Sequence, residues 1–178
     1  MSNTNNSYKV LFTEDELKKI EEIKSRYPDS NSALLPVLWM VQEKEGWISE
    51  DSMRYVGDLL CIPYEHILGV VTFYTMFNSK PVGKIHLQVC TNVSCMLKGG
   101  YELFKYISDK FGIKNKEITK DGEFSIEEVE CLGSCATAPM MQVNNKEFYE
   151  NLTKEKIDGL LDELHNTKHK DTESTKIK

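Results

Sequence analysis

The chain reads Lys84-Ile-His-Leu-Gln-Val-Cys90-Thr-Asn-Val-Ser-Cys95, and a second stretch on the same plan reads Val129-Glu-Cys131-Leu-Gly-Ser-Cys135-Ala-Thr-Ala-Pro139. In each, a strand-like run leads to a cysteine, and a short loop of small and polar residues leads to another. The strand sets the direction of the sulfurs, and the small residues let backbone N–H groups, such as those around Gly133 and Ala136, approach them. Four thiols on two such loops can surround one small metal centre.

The residues around these loops predict a mixed sheet. Residues 84–89 alternate as a strand, and residues 101–111 show helical spacing up to Gly112. Residues 124–129 predict a second strand, and Asn144-Asn145-Lys146 predicts a hairpin before a last helix at 153–165. A helical crossover favours parallel pairing of the first two strands, whereas the hairpin is antiparallel. The order strand, helix, strand, strand, helix is thioredoxin-like in outline.

The first half of the sequence predicts four short amphipathic helices. Thr13-Glu-Asp-Glu16 has the form of a capping box at the start of the first helix. Three of the predicted helices cover residues 13–26, 33–45 and 64–70. The other follows a cap at Ser49 and includes Met53, Val56, Leu59 and Leu60. Such helices form a small bundle because each must bury its apolar face. The whole chain is therefore predicted to be α+β, a helical bundle followed by a domain with a mixed sheet.

These elements divide the sequence into four parts. Residues 1–12 are predicted to be a flexible N-terminus and residues 13–78 a helical bundle that docks a partner. Residues 79–165 form the domain with the cysteine loops, after the composition changes near Asn78-Ser-Lys-Pro81. Residues 166–178 are polar without apolar periodicity, which predicts a disordered tail.

Composition narrows the class of protein. The chain has 178 residues, of which 40% are hydrophobic, and a net charge of −6. The negative charge argues against nucleic acid as a partner. The sequence shows no apolar run of the roughly 18–20 residues that a membrane span needs, and its start does not resemble a secretory signal. We therefore expect a cytoplasmic protein without membrane insertion, whose cysteines are reduced and serve metal or redox chemistry.

The spacing of the cysteines leaves three interpretations open. The gap in Cys90-x4-Cys95 is half of the plant-type ferredoxin pattern and favours a two-iron cluster bound by Cys90, Cys95, Cys131 and Cys135. Structural zinc sites usually have more closely spaced cysteines, as in Cys-x2-Cys. A zinc-stabilised interaction module is therefore the alternative function. Disulfides or buried thiols are the third possibility. The Cys-x-x-Cys pattern of a dithiol redox site is absent.

Several other residues are predicted to have structural roles. Cys61 follows two leucines and is expected to be a core thiol. His86 alternates with apolar residues and is expected to face outward. Phe73, Tyr74 and Phe77 are expected to lie in the core, with a partner interface as the alternative.

Further segments carry a family resemblance. They are Leu34-Leu-Pro-Val-Leu38, Gln42-Glu-Lys-Glu-Gly-Trp47-Ile-Ser, Gly69-Val-Val-Thr-Phe73-Tyr74 and Pro81-Val-Gly83-Lys. Together with the cysteine loops, they make residues 13–162 resemble the small two-iron subunit of the NADH dehydrogenase module of respiratory complex I. The same subunit type occurs in soluble NAD-linked hydrogenases, including electron-bifurcating ones, and in NAD-dependent formate dehydrogenases.

This resemblance implies a thioredoxin-like [2Fe–2S] domain in which the four paired cysteines are the cluster ligands. It implies an electron-transfer subunit with no catalytic residues of its own. FMN and NAD(H) would bind a larger partner subunit that carries further iron–sulfur clusters, and a hydrogenase or another terminal catalytic subunit could complete the complex. The sequence agrees with this division, since it shows no Gly-x-Gly-x-x-Gly fingerprint and no phosphate loop.

Overall fold

The computed structural model describes residues 11–174, and side chains are described for residues 11–166. The chain divides into two compact units, Met1–Pro81 and Val82–Lys178. Each unit has its own hydrophobic core. The division falls close to the change of composition near residue 78.

From residue 11 onward, where the structure describes it, the first unit contains four α-helices. They are α1 (Glu14–Ser25), α2 (Leu34–Glu45), α3 (Glu50–Leu60) and α4 (Tyr64–Phe73), with a short 3₁₀ turn at Ser30–Ala33. The predicted capping box is present, because the Glu16 N–H donates to Thr13 Oγ1 at 3.4 Å and the Thr13 N–H donates to Glu16 Oε2 at 2.7 Å. Ser49 caps α3 by accepting from the Ser52 N–H at 3.1 Å. The predicted four-helix content of this half is therefore present.

The core of the first unit is built from fully buried aliphatic side chains, among them Ile20, Val37, Leu38, Val56 and Ile67. Leu11 and Phe12 belong to the same core, at 9% and 3% exposure. The prediction of a flexible segment through residue 12 was therefore wrong for these two residues, and residues 1–10 lie outside the described part. The error arose because the burial of Leu11 and Phe12 depends on tertiary packing, and helical periodicity gives no signal before the first helix.

A buried glutamine fixes the end of the first unit. Gln42 Nε2 donates to the Met76 carbonyl at 2.7 Å, and Gln42 Oε1 accepts from the Asn78 N–H at 2.6 Å. The Asn78 carbonyl in turn accepts from the Ile48 N–H at 2.8 Å. An irregular segment is thus held by hydrogen bonds that satisfy buried polar groups.

Up to residue 174, the end of the described part, the second unit contains one four-stranded sheet and three α-helices. In chain order these are β1 (Ile85–Cys90), α5 (Val93–Leu97), α6 (Gly100–Phe111), β2 (Phe124–Val129), β3 (Met141–Val143), β4 (Glu147–Tyr149) and α7 (Lys154–Ser174). The strand order is β2-β1-β3-β4. The β1–β2 pair is parallel, and the two other pairs are antiparallel. The predicted mixed sheet is confirmed.

All six residues of β1 are buried, so this central strand has two covered faces. Ile85, Leu87 and Val89 belong to the main core of the unit. His86 was predicted to face outward but is buried, with 3% exposure. Its Nδ1 lies 2.8 Å from Ser125 Oγ, and its Nε2 lies 3.3 Å from Glu127 Oε2. A polar residue in a strand usually faces solvent, but the buried His86 has polar partners on β2.

The last helix is longer than predicted. It begins after Thr153, whose Oγ1 accepts from the Lys156 N–H at 3.3 Å, and it continues past His165 to Ser174. The prediction of a disordered tail from residue 166 therefore differs from the structure up to Ser174, and residues 175–178 lie outside the described part. Within residues 11–174, no helix has the length and apolar character needed to cross a membrane.

Candidate metal centre

The two cysteine loops leave the same edge of the sheet. Cys90 is the last residue of β1, and Cys131 follows shortly after the end of β2. Cys90 is aligned with Val129 across the parallel pair, and the Thr91 N–H donates to the Val129 carbonyl at 3.1 Å. Because parallel strands end at a common edge, the pairing brings the loops together. The short helix α5 inside the first loop was not predicted from the sequence.

The first pair of cysteines is buried. Cys90 and Cys95 are each 2% exposed and pack with Met140. Asn92 begins α5 by accepting from the Val93 N–H at 2.8 Å, which sets the turn that carries Cys95. Gly100 closes the loop tightly, since a Cβ there would lie 2.8 Å from the Cys90 carbonyl oxygen and 2.9 Å from that of Cys95.

Burial also affects the protonation of Cys95. It raises the pKa of Cys95 to about 11, and a hydrogen bond with the Cys90 thiol adds to the rise. A backbone hydrogen bond from Met140 acts in the opposite direction, and the charge of Cys135 raises the pKa further. Cys95 is therefore a neutral thiol at physiological pH in the metal-free chain. A metal must displace its proton, because thiolate is the ligand form.

The second pair lies at the surface. Cys131 and Cys135 are exposed, and their sulfurs are 3.6 Å apart. Two thiolates on one tetrahedral metal ion, each about 2.3 Å from it, lie about 3.8 Å apart. The Gly133 N–H approaches Cys131 Sγ at 3.4 Å, which a φ of +84° at Gly133 permits. A backbone donor around Gly133 was predicted from the small residues of this loop.

One hydrogen bond and one apolar cluster join the two loops. Asn92 Nδ2 donates to Glu130 Oε2 at 2.6 Å, which joins the first loop to the second. Leu132 and Ala138 pack against Cys90, Cys95 and Met140. These contacts were not found from the sequence, because a lone asparagine or glutamate in a loop carries no pattern that names its partner.

The structure thus places the four predicted ligands in two pairs, on the loops that follow β1 and β2. Within residues 11–174, no group of three or more histidine, cysteine, aspartate or glutamate side chains is arranged to hold a metal ion. All five cysteines are free thiols.

Cys61 and the three aromatic residues belong to the first unit. Cys61 is exposed and ends α3 with a φ of +57°, so its prediction as a core thiol was wrong. Phe77 is buried as expected, whereas Phe73 is 75% exposed and Tyr74 is 39% exposed. The placement of these last two in the core was therefore also wrong.

Comparison with known proteins identifies a family. The family model described as "Thioredoxin-like [2Fe-2S] ferredoxin" matches residues 20–165. The chain is 44% identical over 158 residues to the subunit designated E of the NADH-quinone oxidoreductase of Rickettsia bellii (strain RML369-C), covering 87% of this chain and 94% of that protein. The protein of the same name from Rickettsia conorii (strain ATCC VR-613 / Malish 7) is 42% identical with the same coverage.

Solved structures share the fold. The NAD⁺-reducing [NiFe]-hydrogenase in its air-oxidized state matches with a TM-score of 0.66 at 19% identity. The match covers 75% of this chain and 23% of the hydrogenase chain. The H₂-reduced state of that hydrogenase matches similarly, with a TM-score of 0.65. These likenesses confirm the predicted thioredoxin-like α+β fold.

Proposed function

The chain belongs to the thioredoxin-like [2Fe–2S] ferredoxin family, and we propose that Cys90, Cys95, Cys131 and Cys135 hold its one cluster. The cofactor of this family is a [2Fe–2S] cluster, and the protein is an electron-transfer subunit related to those of NADH-quinone oxidoreductases. The observation that carries the proposal is that both thiol pairs lie on loops that leave the same end of the parallel strands β1 and β2.

The residues present fit such a cluster. In an all-cysteine two-iron cluster each iron takes two thiolates, and the thiols here lie in two pairs. When bound, the cluster accepts and releases one electron at a time. The Gly133 N–H supplies a hydrogen bond to a ligand sulfur, which stabilises the added negative charge of the reduced form. Met140, Leu132 and Ala138 shield the buried pair from water.

The wider assignment is an electron-transfer subunit of a flavin-dependent NAD(H) oxidoreductase in the cytoplasm. A larger partner subunit would hold FMN, NAD(H) and further iron–sulfur clusters, and hydride chemistry would take place there. Complexes of the NADH dehydrogenase, hydrogenase, electron-bifurcating and formate dehydrogenase types all fit this role. The names of the relatives support the NADH-quinone oxidoreductase type. The five free thiols agree with a reducing compartment.

The helical bundle is proposed to dock the partner. A cluster is useful only at a fixed distance from the next cofactor, so the subunit needs a stable attachment. Phe73, Tyr74 and Leu68 expose apolar surface around the end of α4, with exposures of 75%, 39% and 36%. Exposed apolar side chains grouped in this way are typical of an interface.

Metal analysis of the purified chain tests the cluster assignment. Iron and acid-labile sulfide should be present at about two of each per chain, with a rhombic EPR signal on reduction. Stoichiometric zinc with no reducible signal would instead support the zinc-stabilised interaction module.

Affinity purification from the native host tests the partner. It should recover a flavoprotein with an NADH site, and Phe73→Asp should reduce the recovery without changing the visible spectrum of the cluster. Full recovery with Phe73→Asp would argue against docking through this surface.

A further inference from the structure

The loop that carries Cys131 and Cys135 has little regular structure. Between the end of β2 at Val129 and the start of β3 at Met141, a stretch that the structure describes throughout, the chain forms one 3₁₀ turn at Cys135–Thr137. Both cysteines on it are exposed. The position of two ligands therefore depends on contacts that this loop makes with other segments.

Glu150 makes the most direct of these contacts. It lies between β4 and α7, and its Oε1 accepts hydrogen bonds from the Ser134 hydroxyl and from Thr137 Oγ1, the latter at 2.7 Å. The two hydroxyl oxygens are themselves 2.7 Å apart. Ser134 directly precedes Cys135, and Thr137 follows it by two residues. One carboxylate therefore binds the chain on both sides of a ligand.

The backbone beside Glu150 strengthens this attachment. The Asn151 N–H donates to the Thr137 carbonyl at 2.8 Å, and the Leu152 N–H donates to the Pro139 carbonyl at 3.0 Å. The Leu152 side chain is buried in the core of the second unit. Three successive residues thus fasten the cysteine loop to the packed part of the unit.

An exposed carboxylate with a single hydroxyl partner would exchange that bond for water at little net cost. Glu150 differs in two ways. It accepts from two hydroxyls at once, and the adjacent backbone bonds hold it in place. Hydrogen bonds to an ionised acceptor are also stronger than neutral ones. The contact can therefore restrict the movement of Cys135 relative to Cys131.

We propose that Glu150 is a positioning residue for the cluster: it holds the Cys131–Cys135 loop in its ligand geometry and lowers the reduction potential through its charge. The inference rests on the proposed cluster ligands. Reduction adds one negative charge to the cluster, and a fixed carboxylate next to a ligand loop opposes that addition. The potential should therefore be lower with Glu150 than with a neutral residue at this position.

Four variants of the full chain separate the two effects. Glu150→Gln keeps an acceptor but removes the charge, and Glu150→Ala removes both. Ser134→Ala combined with Thr137→Val removes the hydroxyl donors and keeps the charge. Glu147→Gln is the matched control, because this exposed carboxylate on β4 accepts from the Tyr149 hydroxyl at 2.6 Å instead of the loop. The readouts are cluster half-life under an iron chelator and midpoint potential from an EPR-monitored redox titration.

We expect Glu150→Ala to release the cluster roughly tenfold faster, as for the loss of one charge-assisted hydrogen bond. The Ser134/Thr137 double variant should release it faster too, but without a rise in potential. Glu150→Gln should raise the potential and release the cluster faster than the unaltered chain but more slowly than Glu150→Ala, because glutamine still accepts a hydrogen bond without the charge. Glu147→Gln should change neither the potential nor the half-life.

Two results would overturn the inference. One is a half-life and potential for Glu150→Ala equal to those of the unaltered chain. The other is a rise in potential for Glu147→Gln as large as that for Glu150→Gln, which would remove the specific effect of the charge. If Glu150→Ala does not fold, the midpoint potential of Glu150→Gln still tests the effect of the Glu150 charge. Zinc in place of iron in the unaltered chain would instead refute the proposed function. Metal analysis of the unaltered chain, done before the variants are compared, distinguishes this outcome.

Discussion

At the scale of single residues, the four paired cysteines differ in their surroundings. Cys90 and Cys95 are buried, whereas Cys131 and Cys135 lie at the surface. Cys95 resists ionisation because desolvation disfavours its thiolate and raises its pKa. The sulfurs of the exposed pair are 3.6 Å apart.

Cys131→Ser should impair cluster binding while Cys61→Ser should not. Both cysteines are exposed, but Cys61 ends a helix of the other unit. A residue that only orients a metal ligand contributes about tenfold or more to metal affinity, so loss of a ligand should lower cluster occupancy by at least that factor. Visible absorbance and iron content per chain measure the effect. Equal occupancy in the two variants would argue against Cys131 as a ligand.

Gly100→Ala should destabilise the cluster loop. The added methyl group would meet two backbone carbonyls at 2.8 and 2.9 Å, and neither can move without shifting a cysteine. Overpacking of this kind costs about 1–3 kcal/mol. Gly159→Ala is the control, since nothing lies within 4 Å of a Cβ at that exposed position of α7. Chemical unfolding of the two apoproteins compares them, and equal stability would show that the loop adapts to the methyl group.

At the scale of secondary structure elements, the Glu16 carboxylate links α1 to α2. Its Oε2 lies 2.6 Å from Lys44 Nζ and also accepts from the Thr13 N–H. The hydrogen bond from Lys44, followed by that from Thr13, lowers the pKa of Glu16 from 4.5 to about 2. Because the folded chain holds the charged form, this contribution to stability is complete above pH 4.5 and is lost as the pH falls towards 2.

Glu16→Gln should therefore lower the melting temperature of the apoprotein near neutral pH, and the difference should shrink as the pH falls below 4.5. Glutamine preserves the capping box, so the variant isolates the loss of the charge. Glu14→Gln, in the same first turn, removes an equal charge without these two contacts. Thermal unfolding followed by circular dichroism over the acid range is the measurement. A difference that stays constant with pH would contradict the role of the charge.

The elements that could be predicted from sequence are those with local signals. The capping box located α1, and the alternation of residues 84–89 and the Asn144-Asn145 turn located the strands. Both asparagines have positive φ values, as that kind of hairpin requires. The burial of His86 depends on tertiary contacts, for which a single sequence has no pattern. The Ser125 and Glu127 partners of His86 lie on a strand 39 and more residues away.

At the scale of the whole molecule, all four paired cysteines lie in the second unit. The cysteine spacing predicted the four ligand positions and which loops carry them, because strand ends and loop residues are local features. The support of the loops by Asn92, Glu130 and Glu150 could not be predicted, since each contact joins distant parts of the chain. The first unit contains none of the four ligands and has a separate core. We infer that the second unit alone determines cluster binding.

This division predicts opposite results for two matched core substitutions in the full chain. Leu38→Ala and Leu87→Ala each remove a fully buried leucine, from the bundle and from β1 respectively, and each should cost about 2–5 kcal/mol in its own unit. Leu87 lies on the strand that ends at Cys90, so its loss should shorten the cluster half-life under a chelator. Leu38→Ala should lower the unfolding temperature of the bundle but leave the half-life and EPR spectrum unchanged, because domains with separate cores can unfold separately. Equal loss of the cluster in both variants would show instead that the bundle stabilises the metal centre, and its role would then extend beyond docking.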